Sequence, residues 1–213
     1  MSFKDEFATP IEAYRDEHKL AKFKQITTPF ILRRLKTDKS IISDLPEKVE
    51  NDTYVNLTKA QAGLYQNTVD TMMQAIEGVD DEDDIKRQGL IFKLMTALKQ
   101  ICNHPNQFLK KEEYQPELSG KAMRLLELLE NIYESNEKTL IFTQYKEMGE
   151  ILQRIIREKF LTEPLFLHGG TTRKKRDEMV DEFQDKPHQK TFILSIKAGG
   201  TGLNLTAANH IVH

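Results

Sequence analysis

Apolar positions fall into two regimes along the 213 residues. Up to residue 118 they recur at helical intervals, with almost no strand-sized run. Thr58 followed three residues later by Gln61 is a capping-box pattern, and the helix it opens carries Tyr65, Val69, Met72, Met73 and Ile76 at helical spacing. A further helix is predicted over about residues 85 to 102, with Ile91, Leu94, Met95, Leu98 and Ile101 as one apolar stripe. The acids from Asp80 to Asp84 fall in the connection before it and suit a solvated loop better than a functional acidic patch. Methionines in these helices are read as core filler.

From Ser119 the pattern changes, so the chain is divided into a helical part, 1–118, and a second part, 119–213. Ser119 caps a helix that turns Ala122, Leu125, Leu126, Leu129 and Ile132 inward. Strand TLIFTQ (139–144), a helix over about 145–160, strand PLFLH (164–168), a helix over roughly 171–185 and strand TFILSI (191–196) follow, with HIVH at the end. The last of these helices presents Met179, Val180 and Phe183 inward. Continuous apolar strands separated by helices are buried on both faces, which specifies a parallel sheet with right-handed crossovers and an α/β fold.

Parallel strands send all their carboxyl ends to one sheet edge, where ligands of such folds bind. Three loops meet there: Thr143, Gln144 and Tyr145; His168, Gly169 and Gly170; and Lys197 to Asn204. The last holds Gly199, Gly200 and Gly202, which let backbone N–H groups turn toward an anion, together with Lys197 and Thr201. Alone, such a loop fits a phosphate grip and a tight strand-to-turn connection equally. Company decides, because hydroxyls, an amide, glycines and a lysine at neighbouring strand tips suit phosphates gripped without reading bases. The helix starting near Thr171 adds N–H groups and a basic run, Arg173, Lys174, Lys175 and Arg176. Only Arg173 in that run lies nearest the carboxyl edge; the others are equally well a solvated face.

Composition narrows the classes. With 38% hydrophobic and 30% charged residues the chain is an ordinary globular sequence, and its apolar runs are too short to span a membrane. A net charge of −2 excludes a protein that coats nucleic acid, so any basic grip must be local. Cys102 is the one cysteine, which excludes an intrachain disulfide and disfavours a cysteine metal site; His104 next to it reads as a structural histidine near a helix end set by Pro105. No G-x-x-x-x-G-K-[ST] loop occurs, since Gly120-Lys121 is followed by Ala122 and has Gln115 where the first glycine belongs. No Asp-Glu pair follows a buried strand to hold magnesium. No catalytic or metal residue is therefore assigned, and the chain, which stops at His213 directly after a strand, is expected to be an inactive piece of a longer intracellular protein.

Several segments together resemble the SWI/SNF family of DNA-dependent ATPases: PFILRRLKTD (29–38), LPEKVE (45–50), ALKQICNHP (97–105), SGKAMRLLELL (119–129), TLIFTQY (139–145), FLHGGTTRKKRDEMVDEF (166–183) and FILSIKAGGTGLNLTAANHIV (192–212). They occur in that family's order. The resemblance implies that 1–118 is the helical end of one RecA-like lobe with the inter-lobe linker, and that 119–213 is the first part of a second, truncated RecA-like lobe. It implies ATP with magnesium as cofactor of the longer protein, double-stranded DNA as partner, chiefly through its phosphate backbone, a missing N-terminal ATPase lobe, and a DNA-associated location. Thr143, Gln144, His168, Gly169, Arg173, Lys197, Gly199 and Thr201 would meet DNA, while Gly202 and Asn204 would face the ATP cleft. Arg33 and Arg34 would lie between the lobes. An RNA-directed superfamily 2 helicase lobe and a non-catalytic protein scaffold are the rival classes; dinucleotide binding is disfavoured because no G-x-G-x-x-G opens a helix.

Overall fold

A computed structural model describes residues 2–31, 49–80, 83–112, 114–199 and 202–213. Arg33, Arg34, Gly200 and Thr201 lie outside the described residues. Packing divides the chain into Met1–Asp52 and Thr53–His213. The change of pattern at 118/119 is thus a change from helices to a layered sheet, whereas the change of packing unit comes at 52/53.

In the first unit, a π-helical turn (Lys4–Ala8) runs into α1 (Thr9–Glu12), and α2 (Glu17–Thr27) follows with Asp16 accepting from the Lys19 N–H at its start. Phe3, Phe7 and Phe23 hold these turns together, with ring centroids 5.7 to 5.8 Å apart.

The second unit begins with an antiparallel helical hairpin, α3 (Lys59–Glu77) and α4 (Asp84–Asn103). The capping box at Thr58 and Gln61 is formed from both sides, as the sequence predicts. Asp83, from the acidic run, caps α4 by accepting from the Lys86 N–H. Only one flank of each helix has a partner. Ile101 is fully buried, but Ile91, Met95 and Met73 of the predicted stripes remain exposed at 41%, 51% and 41%. A two-helix hairpin buries only the flanks that face each other, and among the described residues of this unit α5 and α6 meet it at its base.

At that base, α5 (Pro105–Leu109) and α6 (Gly120–Glu134) meet the hairpin around Gln61, which is 1% exposed. Its amide Nε2 donates to the Ile101 and Cys102 carbonyls at 2.8 and 3.1 Å, and its Oε1 accepts from the Thr58 and Gly120 N–H groups at 3.1 and 3.2 Å. One side chain thereby ties the start of α3, the end of α4 and the start of α6. Gly120 is required by close approach: a Cβ there would overlap the Asn56 carbonyl oxygen. Ser119 caps α6 through Ala122 N–H and donates its own hydroxyl to the Asn103 carbonyl at 2.5 Å. His104 is fully buried; Nδ1 accepts from Asn106 N–H and Nε2 donates to the Gln115 carbonyl, which fixes a neutral tautomer. Burial lowers its pKa, opposed by the bond to Gln115. It is the structural histidine the sequence suggests.

Four parallel strands follow: β1 (Thr139–Thr143), β2 (Leu165–Leu167), β3 (Thr191–Ser195) and β4 (His210–Val212), side by side in the order β2-β3-β1-β4. α7 (Lys146–Phe160) carries the chain from β1 across β3 to β2, and α8 (Arg173–Asp185) brings it back to β3. Period-two alternation splits the strands between two cores. Ile141, Phe166 and Ile193 pack with α6 and α7, whereas Leu140, Leu167, Phe192 and Leu194 pack with α8 and the segment before β4. The two crossovers run in opposite directions over opposite faces, which gives them the same hand. Gly149 on α7 makes room for the Phe166 ring, three atoms of which lie at or inside 3.0 Å of where a Cβ would stand.

Candidate phosphate-binding edge

All four strands being parallel, the three predicted loops lie at one edge of the sheet. Thr143 and Ser195 are register partners, so the ends of β1 and β3 are neighbours. From there the chain leaves β1 toward the α7 face and leaves β3 toward the α8 face, because Ala198, Leu203 and Leu205 pack in the α8 core. Adjacent strands whose connections diverge to opposite faces leave a crevice between them, which is where open α/β sheets bind ligands.

Each tip is shaped differently. At β1, Thr143 is 7% exposed and its hydroxyl closes a local turn, donating to the Tyr145 carbonyl at 3.3 Å and accepting from the Tyr145 N–H at 3.4 Å. Thr143 thereby builds the turn, and Gln144 is the exposed polar group on it. At β2, His168 Nδ1 accepts from the Gly170 N–H at 3.1 Å, its ring lies 5.0 Å from that of Phe166, and its backbone N–H donates to Thr171 Oγ1. Gly169 at the apex has open space around it. At β3 a single helical turn, α9 (Ile196–Gly199), presents Lys197 to solvent. Gly202 has φ +70°, the left-handed conformation the glycine loop requires.

The glycine loop and α8 face one another across a cleft of about 730 Å³ lined by Thr171, Arg173, Arg176, Asp177, Val180, Asp181 and residues Gly202, Leu203 and Asn204. Arg173 is therefore beside Gly202 and Asn204 and not at a separate tip. Arg176 joins it, one helical turn on; the three-residue spacing on a helix was the available signal, since such residues share a face. Thr172 caps α8 by accepting from the Lys175 N–H. Asp177 and Asp181 line the same cleft, following Arg173 and Arg176 along α8. The loop's return is fixed to α8: Gln184 Oε1 accepts from the Ala207 N–H at 2.8 Å, and its Nε2 donates to Thr206 Oγ1 at 3.0 Å. At the helix end, Lys138 Nζ donates to the Phe183 carbonyl and to the Lys186 carbonyl at 2.9 Å, and burial lowers the Lys138 pKa against the pull of Asp185.

A second cleft of about 630 Å³ opens on the other side of β1. Its floor is apolar, with Tyr65, Leu98, Leu125, Phe142 and Tyr145, and Lys99, Lys121 and Arg124 stand in its wall. Two of these cations are engaged, Arg124 with Glu127 at 2.7 Å and Lys121 with Asn103 Oδ1 at 3.3 Å. Among the described residues no cluster of His, Cys, Asp or Glu is arranged to hold a metal, and no helix is long and apolar enough to cross a membrane.

Comparison with known proteins places this architecture. Residues 1–107 match the family described as the SNF2-related domain, and residues 120–213 match the helicase conserved C-terminal domain. The putative ATP-dependent helicase/translocase YwqA of Bacillus subtilis is 43% identical over 218 residues, covering 99% of this chain and 23% of that protein. The Sulfolobus solfataricus SWI2/SNF2 ATPase C-terminal domain is 40% identical with a TM-score of 0.71, covering 78% of this chain and 72% of that one. The ATPase core from the same organism, solved in complex with double-stranded DNA, is 41% identical with a TM-score of 0.72, covering 99% of this chain and 44% of that one. This chain spans about a quarter of the length of its Bacillus relative and less than half of that core. With an SNF2-related match over half its length and a parallel-sheet unit similar to a SWI2/SNF2 C-terminal domain, the chain belongs to the SNF2 family of helicase-like ATPases.

Proposed function

We propose that this chain is part of an ATP-driven translocase on double-stranded DNA, with residues 1–118 supplying the end of the first lobe and the inter-lobe helices and residues 119–213 the beginning of the second. The DNA backbone is gripped by Gln144, the His168–Gly169 turn, Arg173, Lys197, Gly199 and Thr201, with Thr143 shaping the first of these tips. Gly202 and Asn204 face a nucleotide held jointly with an N-terminal ATPase lobe, which supplies the phosphate loop and magnesium site that this sequence lacks. ATP with magnesium is thus the cofactor of the longer protein, and its place is on DNA inside the cell.

The observation that supports this reading is that the strand ends followed by Gln144, by His168 and by Lys197 share one edge of a parallel sheet, in a chain 41% identical to an ATPase core that was solved with double-stranded DNA. On this reading the groups hold backbone phosphates, so affinity comes from counterion release and is weak, independent of sequence and steeply salt-dependent. Titrating short duplexes of different sequence with the chain tests it. A strong preference for one sequence, or an affinity flat in salt, refutes the proposal. Tighter binding of single-stranded RNA in competition would transfer the site to an RNA track.

A further inference from the structure

We propose that Gln184 is a positioning residue for the phosphate grip, acting through the glycine loop and not on the ligand itself; this rests on the function proposed above. The reasoning begins with distance. Gln184 is eleven residues beyond Arg173 on α8, roughly 16 Å along the axis, too far to share a phosphate with it. Its amide is nevertheless spent on the loop that forms the other wall of the cleft, one bond to a backbone N–H and one to a hydroxyl.

The loop between Gly202 and β4 has no regular structure to hold it. Leu203, Leu205, Ala207 and Ala208 pack against the buried cluster of Leu140, Leu167, Phe183, Phe192 and Leu194, Asn209 exchanges bonds with the Lys138 backbone just ahead of β1, and the Gln184 amide is the polar tie between the loop and α8. The apolar contacts resist separation but are indifferent to sliding along the helix. Two directional bonds at 2.8 and 3.0 Å from one planar amide fix the register. Register along α8 sets Gly202, Leu203 and Asn204, the return of the loop that begins at Lys197, opposite Thr171, Arg173 and Arg176, so the loop's position bears on the backbone grip at Arg173 as well as on the nucleotide face. An unclamped loop would visit other registers, and the apparent affinity falls by the fraction of time spent in the competent one.

The test compares the wild-type chain with Gln184→Met, which keeps length and removes both bonds, by fluorescence anisotropy on labelled duplexes and by amide hydrogen exchange. Wild type binds duplex; Gln184→Met binds about fivefold more weakly on every duplex, as expected when the competent register falls to roughly one molecule in five. Amides of residues 202–209 exchange faster while those of β3 keep their protection. Unchanged affinity with a loosened loop overturns the inference, and so does an unloosened loop. If Gln184→Met loses β3 protection, Thr206→Val, which removes one bond from the loop side, is judged by the same two readouts with about a twofold expected loss. A wild-type chain that ignores duplex DNA sinks the nucleic-acid reading alone. The same variants are then compared on a fluorescent ATP analogue, and equal affinity there sinks the positioning role as well.

Discussion

Gly149→Ala separates packing from helix propensity at a position where the two oppose each other. On an exposed helix the substitution stabilises by up to about 1 kcal/mol, because glycine has more backbone freedom to lose. At Gly149 the new methyl would stand at or inside 3.0 Å of three Phe166 ring atoms, where ordinary contacts begin near 3.4 Å. The ring cannot swing aside freely. Phe166 is 6% exposed, it packs with the α6 and α7 core, and its neighbour across the sheet is Ile193, itself fully buried. Overpacking of a closed core costs about 1–3 kcal/mol, so net destabilisation of up to about 2 kcal/mol is expected after a propensity gain of about 1 kcal/mol. Thermal unfolding followed by circular dichroism should show a midpoint lower by about 2–4 °C for each kcal/mol. Phe166→Leu in the Gly149→Ala background should recover part of the loss, with a favourable coupling of about 1 kcal/mol in the double-mutant cycle. Gly63→Ala and Gly89→Ala are the controls, since a Cβ at either meets nothing within 4 Å. If Gly149→Ala raises the midpoint as those controls do, the steric argument is wrong.

Three further outcomes are expected. Gln61→Leu strands two N–H groups and two carbonyls at the base of the hairpin, so urea denaturation should show a loss of about 3 kcal/mol or more; a loss below 1 kcal/mol would mean water replaces the amide. His104 has its pKa lowered below 6.5 in the folded chain, so its stabilising effect is complete above 6.5 and is lost as pH falls from 6.5 toward the native value, by at most about 1.4 kcal/mol per pH unit. Stability measured from pH 7 to 5 in wild type and His104→Asn should differ in slope across that window, and parallel curves would contradict the assignment. Lys197→Ala should weaken duplex binding by a similar factor on all sequences and reduce the salt slope by about 0.9; a sequence-dependent loss would point to base contact.

Elements with strong local signals were legible in the sequence. The capping residues Thr58 and Ser119, the helices they open, the helix expected near Thr171 and the apolar strands all lie within a residue or two of where the pattern puts them. Two kinds of feature were not. Spacing alone marks Ile91, Met95 and Met73 as apolar helix positions, but it cannot say how many elements surround a helix, and these three remain uncovered. Relations between distant residues also leave no local trace. Gln61 and Gly120 are joined across 59 positions, Gln184 and Ala207 across 23, and the strand order β2-β3-β1-β4 is a property of how crossovers run. At the candidate edge, Gln144, Arg173 and Lys197 are exposed polar groups after strand ends, while the Thr143 hydroxyl is consumed by its own turn, a local bond that residue type alone does not reveal.

The Gln61 joint makes the hairpin a lever. α3, with 19 residues, is roughly 28 Å long, and its root is bolted through one amide to the helix that lies on the sheet. Carried rigidly by that joint, a 10° rotation of the sheet would sweep the hairpin tip through about 5 Å, about one helical turn. Small angular strokes at the strand tips become ångström-scale travel at the far end of the arm.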